Sequence, residues 1–355
     1  MRKLFIVPIE PLDNRYTKQW YDFIPKQLSQ EFIDYEIINI DGNSSGYDKP
    51  QPGAFFDFSA TCLYKASQAQ KISQLFIDKV VNEDDIFFFT DAWNQTVHTV
   101  RYISELNKIP VKCVGIWHAG YYDPTDILGF TIENNEWISH LEQSMYYAYD
   151  QNYFGTSQHL DKFRKEYNVD RSKAFLCGYP LDYLFDIEKP TFEEKENIIV
   201  FPHRLNEDKA PYVFDWLKEY VEKKRPDIRF VKTQEMNLTK EEYYCFLRRC
   251  KIVFSANKHE NLGISTFEAH MLGSVVCVPD KLSYKEMYPY EMRYPMTDSM
   301  YLEHNKTDWE WIGDRLIIMI DKYNQYTMRD MFASSKRIYD RYFSSKEMFR
   351  FVRLL

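Results

Sequence analysis

Short runs rich in Ile, Val and Phe alternate with longer stretches of helical pattern along the first half of the chain. Runs of this length are typical of strands buried on both faces of a parallel sheet, and their alternation with helices favours an α/β fold. The predicted strands are Lys3–Pro8, Tyr35–Ile40, Ile86–Thr90, Val111–Trp117 and Ala174–Cys177. The predicted helices include Thr17–Glu31, Ala60–Val81 and Gln95–Asn107.

The alternation stops at Gly178–Asn197, where prolines and a run of charges indicate a connection between domains. A second alternation follows, with predicted strands at Asn197–Phe201, Ile228–Lys232, Ile252–Ser255 and Val275–Val278 and helices at Glu207–Lys224, Lys240–Arg249 and Ser265–Leu272. We therefore predict two doubly wound, Rossmann-like domains facing each other across a cleft. The predicted boundaries are 1–190 and 191–335, with a C-terminal helical segment, 336–355, that could cross back to the first domain.

The composition excludes several classes of protein. A formal net charge of −8 argues against a protein whose main task is to grip a nucleic-acid backbone, although a local basic groove stays open. The six cysteines form no C-x-x-C pair, so a zinc site is not expected. With no signal-peptide pattern and no 18-residue apolar stretch, we expect a cytoplasmic protein of a bacterial cell or a phage-infected host.

The most informative stretch runs from Ile252 to Asp280 and reads as strand, loop, helix and strand. Gly263 stands where the helix begins, and a helix N-terminus presents free backbone N–H groups that suit a diphosphate. Glu260 lies in the loop and Glu268 lies within the helix, where a carboxylate can accept hydrogen bonds from the two hydroxyls of a ribose. The pattern thus predicts a nucleotide site that includes Gly263 and Ile264.

The sequence from Glu260 to Glu268, ENLGISTFE, resembles the Glu-x7-Glu signature of the retaining GT-B glycosyltransferases of the family 4-like group. The continuation from Ala269 resembles the family's EAxxxGxPVV pattern, with Ser274 in place of the usual proline. In that family the first glutamate contacts the donor sugar and the second contacts the nucleotide ribose. The resemblance therefore implies these roles for Glu260 and Glu268.

A basic pair follows the first strand of the second domain, in FPHRLNEDK. In the same family an Arg at this strand end and a Lys five residues later contact the diphosphate, which implies that role for Arg204 and Lys209. Cationic side chains can stabilise a departing nucleoside diphosphate without a metal. The chain contains no Asp-x-Asp, so we predict no metal and no cofactor apart from the nucleotide-sugar donor.

The resemblance is weaker in the first half. His118 follows Val111–Trp117, where family members often carry a His near the transferred sugar, so a sugar contact and a structural role both stay open. Many members have a glycine-rich loop after the first strand, but residues 8–15 contain no glycine, and Asn14 or Arg15 could substitute with side chains. The Gly-, Ser- and Pro-rich segment Asp41–Gly53 is predicted to be a surface loop.

The function predicted from these features is transfer of a hexose, from a donor expected to be UDP-linked, to a hydroxyl acceptor with retention. Glu260, His118, Arg204 and Lys209 are the predicted catalytic residues. The acceptor stays open between a saccharide, a lipid, a protein and a hydroxymethylated base of phage DNA, and the oligomeric state also stays open. The alternatives are a nucleotide-sugar epimerase of the same fold and a non-catalytic nucleotide-sugar-binding module. A dinucleotide dehydrogenase is disfavoured, because no G-x-G-x-x-G follows the first strand.

Overall fold

The computed structural model describes residues 1–13, 15–44, 46, 56–133 and 135–355. Asn14 and most of the predicted loop 41–53 lie outside these residues. The described chain divides into two units, of which unit 1 comprises 1–181 and 344–355, and unit 2 comprises 182–343. None of the helices in this part of the chain combines the length and the apolar character needed to cross a membrane.

Among the described residues, the sheet of unit 1 has six parallel strands in the order β2-β1-β3-β4-β5-β6. These are β1 (Arg2–Val7), β2 (Tyr35–Asn39), β3 (Ile86–Phe89), β4 (Lys112–Ile116), β5 (Gln151–Phe154) and β6 (Ala174–Leu176). The helices of this unit are α1 (Tyr16–Glu31), α2 (Phe58–Ile77), α3 (Thr96–Asn107), α4 (Ile127–Thr131), α5 (Glu136–Ala148), α6 (Ser157–Tyr167) and α13 (Lys346–Val352). The central strands β1, β3 and β4 are buried along most of their length, which explains why they are largely apolar, whereas the edge strands β2 and β6 are partly exposed.

The sheet of unit 2 has five parallel strands within the described chain, in the order β11-β10-β9-β7-β8. These are β7 (Glu196–Phe201), β8 (Arg229–Lys232), β9 (Cys250–Phe254), β10 (Val275–Pro279) and β11 (Arg293–Tyr294). The helices are α7 (Pro211–Lys224), α8 (Lys240–Arg249), α9 (Ile264–Met271), α10 (Tyr284–Met287), α11 (Glu310–Asp321) and α12 (Met328–Tyr342). Because the strands are all parallel, their carboxyl ends lie along one edge, where ligands of such sheets bind.

The two units divide at 181/182, whereas the sequence placed the domain boundary at 190/191. The predicted C-terminal segment is shared, because α12 lies in unit 2 and residues 344–355 lie in unit 1. Within unit 1, the Gln151 side-chain amide donates to the Phe351 carbonyl at 3.1 Å, and the Arg353 guanidinium donates to the Glu31 carbonyl at 3.0 Å.

The predicted helix over Glu207–Lys224 is wrong in its first turn. Glu207–Lys209 form a separate 3₁₀ turn, Ala210 has a left-handed φ of 49°, and the α-helix begins at Pro211. A proline disfavours helical backbone in the residue before it but suits the first position of a helix, so the chain turns before α7. Lys209 therefore lies in a tight turn ahead of the helix.

Candidate functional site

The first turn of α9 lies at the carboxyl edge of the second sheet, as the sequence predicted. Gly263 precedes it with φ +74°, a left-handed conformation that L side chains rarely adopt. The Gly263 N–H donates to the Glu260 carboxylate at 2.9 Å, so the loop folds back on itself before the helix starts. Ile264 opens the helix, and the N–H groups of a first turn have no partner within their own helix.

Glu260 is held by its own loop and by its surroundings. Its Oε1 accepts hydrogen bonds from the N–H groups of Gly263 and Leu262, at 2.9 and 3.3 Å. Its Oε2 accepts from the Asn257 side-chain amide at 3.0 Å and lies 3.5 Å from the Lys209 ammonium. Since a carboxylate offers about four lone-pair directions, these contacts use most of its hydrogen-bonding capacity.

Burial and the neighbouring groups shift the pKa of the Glu260 carboxyl in opposite directions. Burial by itself would raise the pKa of this carboxyl, but Lys209, His203, His259 and the Gly263 N–H together outweigh burial and lower the pKa to about 2. Glu260 is therefore a fixed negative charge at neutral pH, and it cannot serve there as a proton donor.

Lys209 connects three parts of the site. Its ammonium donates to the His259 carbonyl at 2.5 Å, and it lies 3.2 Å from Asp208 and 3.5 Å from Glu260. Arg204 shares the Asp208 carboxylate, at 3.8 Å, and this is its one recorded polar contact within the described chain. The predicted basic pair thus comes together around Asp208, and the Arg204 guanidinium keeps most of its five donors for another partner.

Glu268 lies within α9, 3% exposed, and faces α8. Its Oε1 accepts from the Lys240 ammonium at 2.6 Å and from the Tyr244 hydroxyl at 2.9 Å, and its Oε2 accepts from the Tyr243 hydroxyl at 3.1 Å. Glu268 therefore lies on the helix that Gly263 precedes and Ile264 opens, but it has a separate set of partners from Glu260.

Two further groups at this edge were not assigned a role from the sequence. His203 is buried, its Nδ1 lies 3.1 Å from the Ser265 hydroxyl in the first turn of α9, and its Nε2 has no partner in the described chain. Asn257 is also buried, and its Oδ1 is equally without a partner among the described residues. Their place after β7 and β9 is readable from the sequence, but the unpaired atoms are visible only in the structure.

His118 lies in unit 1, after β4. Its Nε2 donates to the Thr90 carbonyl at 2.6 Å, so its Nδ1 is the acceptor for the Tyr16 hydroxyl at 2.7 Å. Burial, assisted by Lys65, lowers the pKa of this imidazole. The ring is therefore neutral with both nitrogens hydrogen-bonded, and its role at the transferred sugar stays a prediction.

The described ranges, with their gaps at 14, 45, 47–55 and 134, contain no group of three His, Cys, Asp or Glu side chains that could hold a metal ion. The polar chemistry that the structure assembles in unit 2 is an Arg204 and Lys209 pair that shares the Asp208 carboxylate, the fixed Glu260 carboxylate and a helix N-terminus. That combination suits a ligand that carries both negative charge and hydroxyl groups.

No protein-family model matches the sequence, and no curated protein matches it. Solved structures resemble it in fold. The sucrose-phosphate synthase from Thermosynechococcus elongatus has a TM-score of 0.61 at 9% identity, over 100% of this chain and 98% of that chain. An E. coli trehalose-6-phosphate protein bound with UDP-2-fluoro glucose has a TM-score of 0.57 at 11% identity, over 95% of this chain and 94% of that chain.

The pneumococcal O-GlcNAc transferase GtfA in complex with UDP and GlcNAc has a TM-score of 0.53 at 14% identity, over 88% of this chain and 62% of that chain. Two parallel α/β sheets, matched along the whole chain by such structures, establish the GT-B fold. The fold class predicted from the sequence is confirmed.

Proposed function

We propose that this chain is a glycosyltransferase that transfers a hexose from a nucleotide-diphosphate sugar to a hydroxyl acceptor, with the donor held by unit 2. The observation that carries this proposal is the assembly of Arg204, Lys209 and Glu260 beside the N-terminus of α9. The GT-B structures that resemble the chain include one bound with UDP-2-fluoro glucose and one in complex with UDP, which supports a UDP-linked donor.

The diphosphate would lie against the first turn of α9, where the N–H groups near Ile264 and the positive end of the helix dipole favour an anion. Arg204 would supply a forked guanidinium, which pairs well with phosphate oxygens. As the sugar–phosphate bond breaks, negative charge grows on the leaving diphosphate, and these fixed donors stabilise it without reorganising.

Lys209 would have two roles, one in holding the loop that carries Glu260 and one in contacting a phosphate oxygen. Its ammonium already fixes the Glu260 carboxylate and the His259 carbonyl, so it holds the loop in the conformation that exposes the helix N-terminus. Its 3.5 Å contact with Glu260 is the longest of its contacts and the one that a phosphate oxygen would replace most readily.

Glu268 would accept the ribose hydroxyls. In the structure its Oε1 already has two donors, whereas Oε2 has one, the Tyr243 hydroxyl. A ribose diol that bridges both oxygens would therefore displace Lys240 or Tyr244 from Oε1. Lys240 is 26% exposed and can move toward solvent without unfolding α8.

Retention of anomeric configuration and the acceptor also belong to this proposal. Retention follows from the Glu-x7-Glu resemblance, and the departing diphosphate would take the acceptor's proton. The acceptor is a hydroxyl compound of one of the classes left open by the sequence, which include a saccharide and a hydroxymethylated DNA base. His118 was predicted from the sequence as a sugar contact, but both its ring nitrogens are hydrogen-bonded within unit 1, so the proposal does not depend on it.

Donor hydrolysis tests the proposal without an acceptor. The chain is incubated with UDP-glucose, UDP-GlcNAc, UDP-galactose or GDP-mannose, and nucleotide release and binding are followed. We expect slow release from one donor, a loss of about 10²–10³-fold in Arg204→Gln, and weaker donor binding in Glu268→Gln. Arg229→Gln, an exposed arginine of the same unit, is the matched control and should release nucleotide like the wild type.

Failure of the wild-type chain to bind any of the four donors would sink the proposal. Binding without release, for every donor and with simple sugars added as acceptors, would point instead to a nucleotide-sugar-binding module.

A further inference from the structure

Three neighbouring strands of unit 2 are each followed by a buried polar atom that has no partner among the described residues. His203 Nε2 follows β7, Thr233 Oγ1 follows β8, and Asn257 Oδ1 follows β9. Their residues are 3%, 4% and 0% exposed, respectively. All three lie just beyond the carboxyl ends of parallel strands, along the edge where the proposed donor site lies.

Unpaired buried polar atoms cost stability. Leaving a buried donor or acceptor unsatisfied destabilises a folded protein, and most such groups have a partner. Three of them follow three adjacent strands, and one ligand that supplies the missing partners would account for all three.

The strand order fixes the order in which these three atoms lie along the edge of the sheet. Because the order is β9-β7-β8, His203 belongs to the middle strand, with Asn257 on one side and Thr233 on the other. Adjacent strands lie about 4.8 Å apart, so the three strand ends span roughly 10 Å. An elongated ligand with polar groups along its length would match that span.

The middle position coincides with the diphosphate part of the site. The other ring nitrogen of His203 is bonded to Ser265 in the first turn of α9, and the next residue is Arg204. Burial, assisted by the positive charges of Lys209 and Arg204, lowers the pKa of His203 to about 3, against the opposing charges of Glu260 and Asp208. A neutral imidazole whose Nδ1 accepts from the Ser265 hydroxyl carries its proton on Nε2, where it can donate to a phosphate oxygen.

The β9 side has the chemistry for a hydroxyl. The Asn257 amide nitrogen is engaged by Glu260 and by the Tyr284 hydroxyl, both at 3.0 Å, so its unpaired atom is the acceptor Oδ1. An acceptor needs a donor, and a sugar hydroxyl is a donor whereas an ionised phosphate is not.

The chain runs from β8 through Thr233 into α8, the helix that carries the partners of Glu268 and packs against β7 and α9. If Glu268 accepts the ribose hydroxyls as proposed above, the nucleoside lies on the β8 side. The unpaired Thr233 hydroxyl can both donate and accept, as the polar edge of a base or a ribose requires.

We infer that these three groups follow one nucleotide sugar along the edge of the sheet, with Thr233 on the nucleoside, His203 on the diphosphate and Asn257 on the transferred sugar. The inference rests on the proposed function and assigns to each part of the donor a residue that the Glu-x7-Glu resemblance does not name. These contacts are positioning contacts, each worth a single hydrogen bond.

The test compares three ligands of increasing length. The affinities of the chain for uridine, UDP and UDP-glucose are measured by competition. If the hydrolysis screen selects another donor, its nucleoside, its nucleoside diphosphate and the nucleotide sugar itself replace these three ligands. We expect Thr233→Val to weaken all three ligands about 5–10-fold, the size of one lost hydrogen bond. His203→Asn should weaken UDP and UDP-glucose but not uridine, and Asn257→Ala should weaken UDP-glucose alone.

His203 offers a matched pair of variants. An asparagine places a polar atom near the position of Nδ1 and keeps the Ser265 contact, whereas a glutamine reaches the position of Nε2. We expect His203→Gln to bind UDP within about 2-fold of the wild type while His203→Asn does not. A purely structural histidine would not show this split, and melting temperatures of both variants check that the fold is intact.

Each result decides the inference. The graded pattern supports it. Equal losses for all three ligands in His203→Asn or Asn257→Ala, or identical behaviour of His203→Asn and His203→Gln, would overturn it while leaving the glycosyltransferase proposal intact. If wild-type protein binds none of the ligands, both proposals fail together.

Discussion

The Lys240 ammonium lies 2.6 Å from Oε1 of Glu268, and this ion pair joins α8 to α9 inside unit 2. The carboxylate is 3% exposed, whereas the lysine side chain is 26% exposed, so one partner is fixed and the other can leave. Lys240 neutralises a carboxylate that would otherwise be buried without a counter-charge. It also occupies the oxygen that a ribose diol would need.

The pair predicts that the cost of removing Lys240 depends on whether Glu268 carries its charge. We expect Lys240→Met to lower the free energy of unfolding by about 2 kcal/mol, because it leaves the Glu268 charge buried and uncompensated. In a Glu268→Gln background the same change should cost less than about 1 kcal/mol, since no charge then needs compensation. Urea unfolding followed by tryptophan fluorescence measures both.

Lys223→Met is the control for this cycle, because Lys223 pairs with Glu219 on the surface of α7 and both side chains are mostly exposed. Its cost should stay within about 0.5 kcal/mol. Equal costs for Lys240→Met with and without Glu268→Gln would contradict a coupled pair.

The depressed pKa of Glu260 predicts an acid-dependent loss of stability. Its pKa in the folded chain is about 2, against an ordinary value of 4.5, so the charge contributes about 3 kcal/mol that is fully present above pH 4.5. This contribution is lost as the pH falls through 4.5 toward 2. We expect Glu260→Gln to be less stable than the wild type at pH 7, and the difference to shrink across that range. A difference independent of pH would show that the carboxylate charge is not responsible.

We predict that replacing Gly263 with a larger residue strains the structure at this position. A Cβ at this position would lie 2.8 Å from the Tyr284 ring, and φ is +74°. Gly46 has the same φ of +74°, and no atom of the described residues lies within 4 Å of a Cβ at this position, so Gly46→Ala reports mainly the cost of the backbone conformation. We expect Gly46→Ala to cost about 1 kcal/mol and Gly263→Ala to cost more, with weaker binding of UDP because the first turn of α9 shifts. Equal thermal stability and UDP affinity for the two variants would contradict a close approach at Gly263.

Much of the fold could be predicted because buried parallel strands are read directly from apolar runs. The strand β5 was missed because its sequence, QNYF, begins with two polar residues. Asn152 is tolerated there because its side chain accepts from the Trp117 ring N–H at 2.8 Å and donates to the Tyr146 carbonyl at 3.1 Å. Such compensation joins residues far apart in the sequence and leaves no local signal.

The site, like the fold, could be predicted from the sequence only in part. Glu260, Gly263 and Glu268 fall within one short motif, and their placement around α9 follows from local geometry. The partners of Glu268 do not, because Lys240 lies 28 residues away on another helix. The roles predicted for Glu260, Glu268, Arg204, Lys209 and His118 stay predictions, since a fold shared at low identity places residues without assigning their chemistry.

His118 is where the resemblance and the hydrogen bonds give different predictions. The resemblance implies a contact with the transferred sugar, but Nδ1 accepts from the Tyr16 hydroxyl and Nε2 donates to the Thr90 carbonyl. Because both nitrogens are engaged and burial keeps the ring neutral, we expect a structural role. His118→Gln, which can still donate toward Thr90, should then release nucleotide within about 10-fold of the wild type, whereas loss of a group that stabilises developing charge costs about 10²–10³-fold.

The pH dependence of stability gives a second, independent measure of His118. Its folded-state pKa is lowered from 6.5, so the unfolded chain binds the proton more readily and stability falls as the pH drops below 6.5. His118→Gln removes this titration, so the variant should lose less stability than the wild type between pH 6.5 and 5. Unfolding midpoints in urea at these two pH values measure the effect. A variant that keeps the wild-type pH dependence but loses 10²-fold or more in nucleotide release would establish His118 as a sugar contact instead.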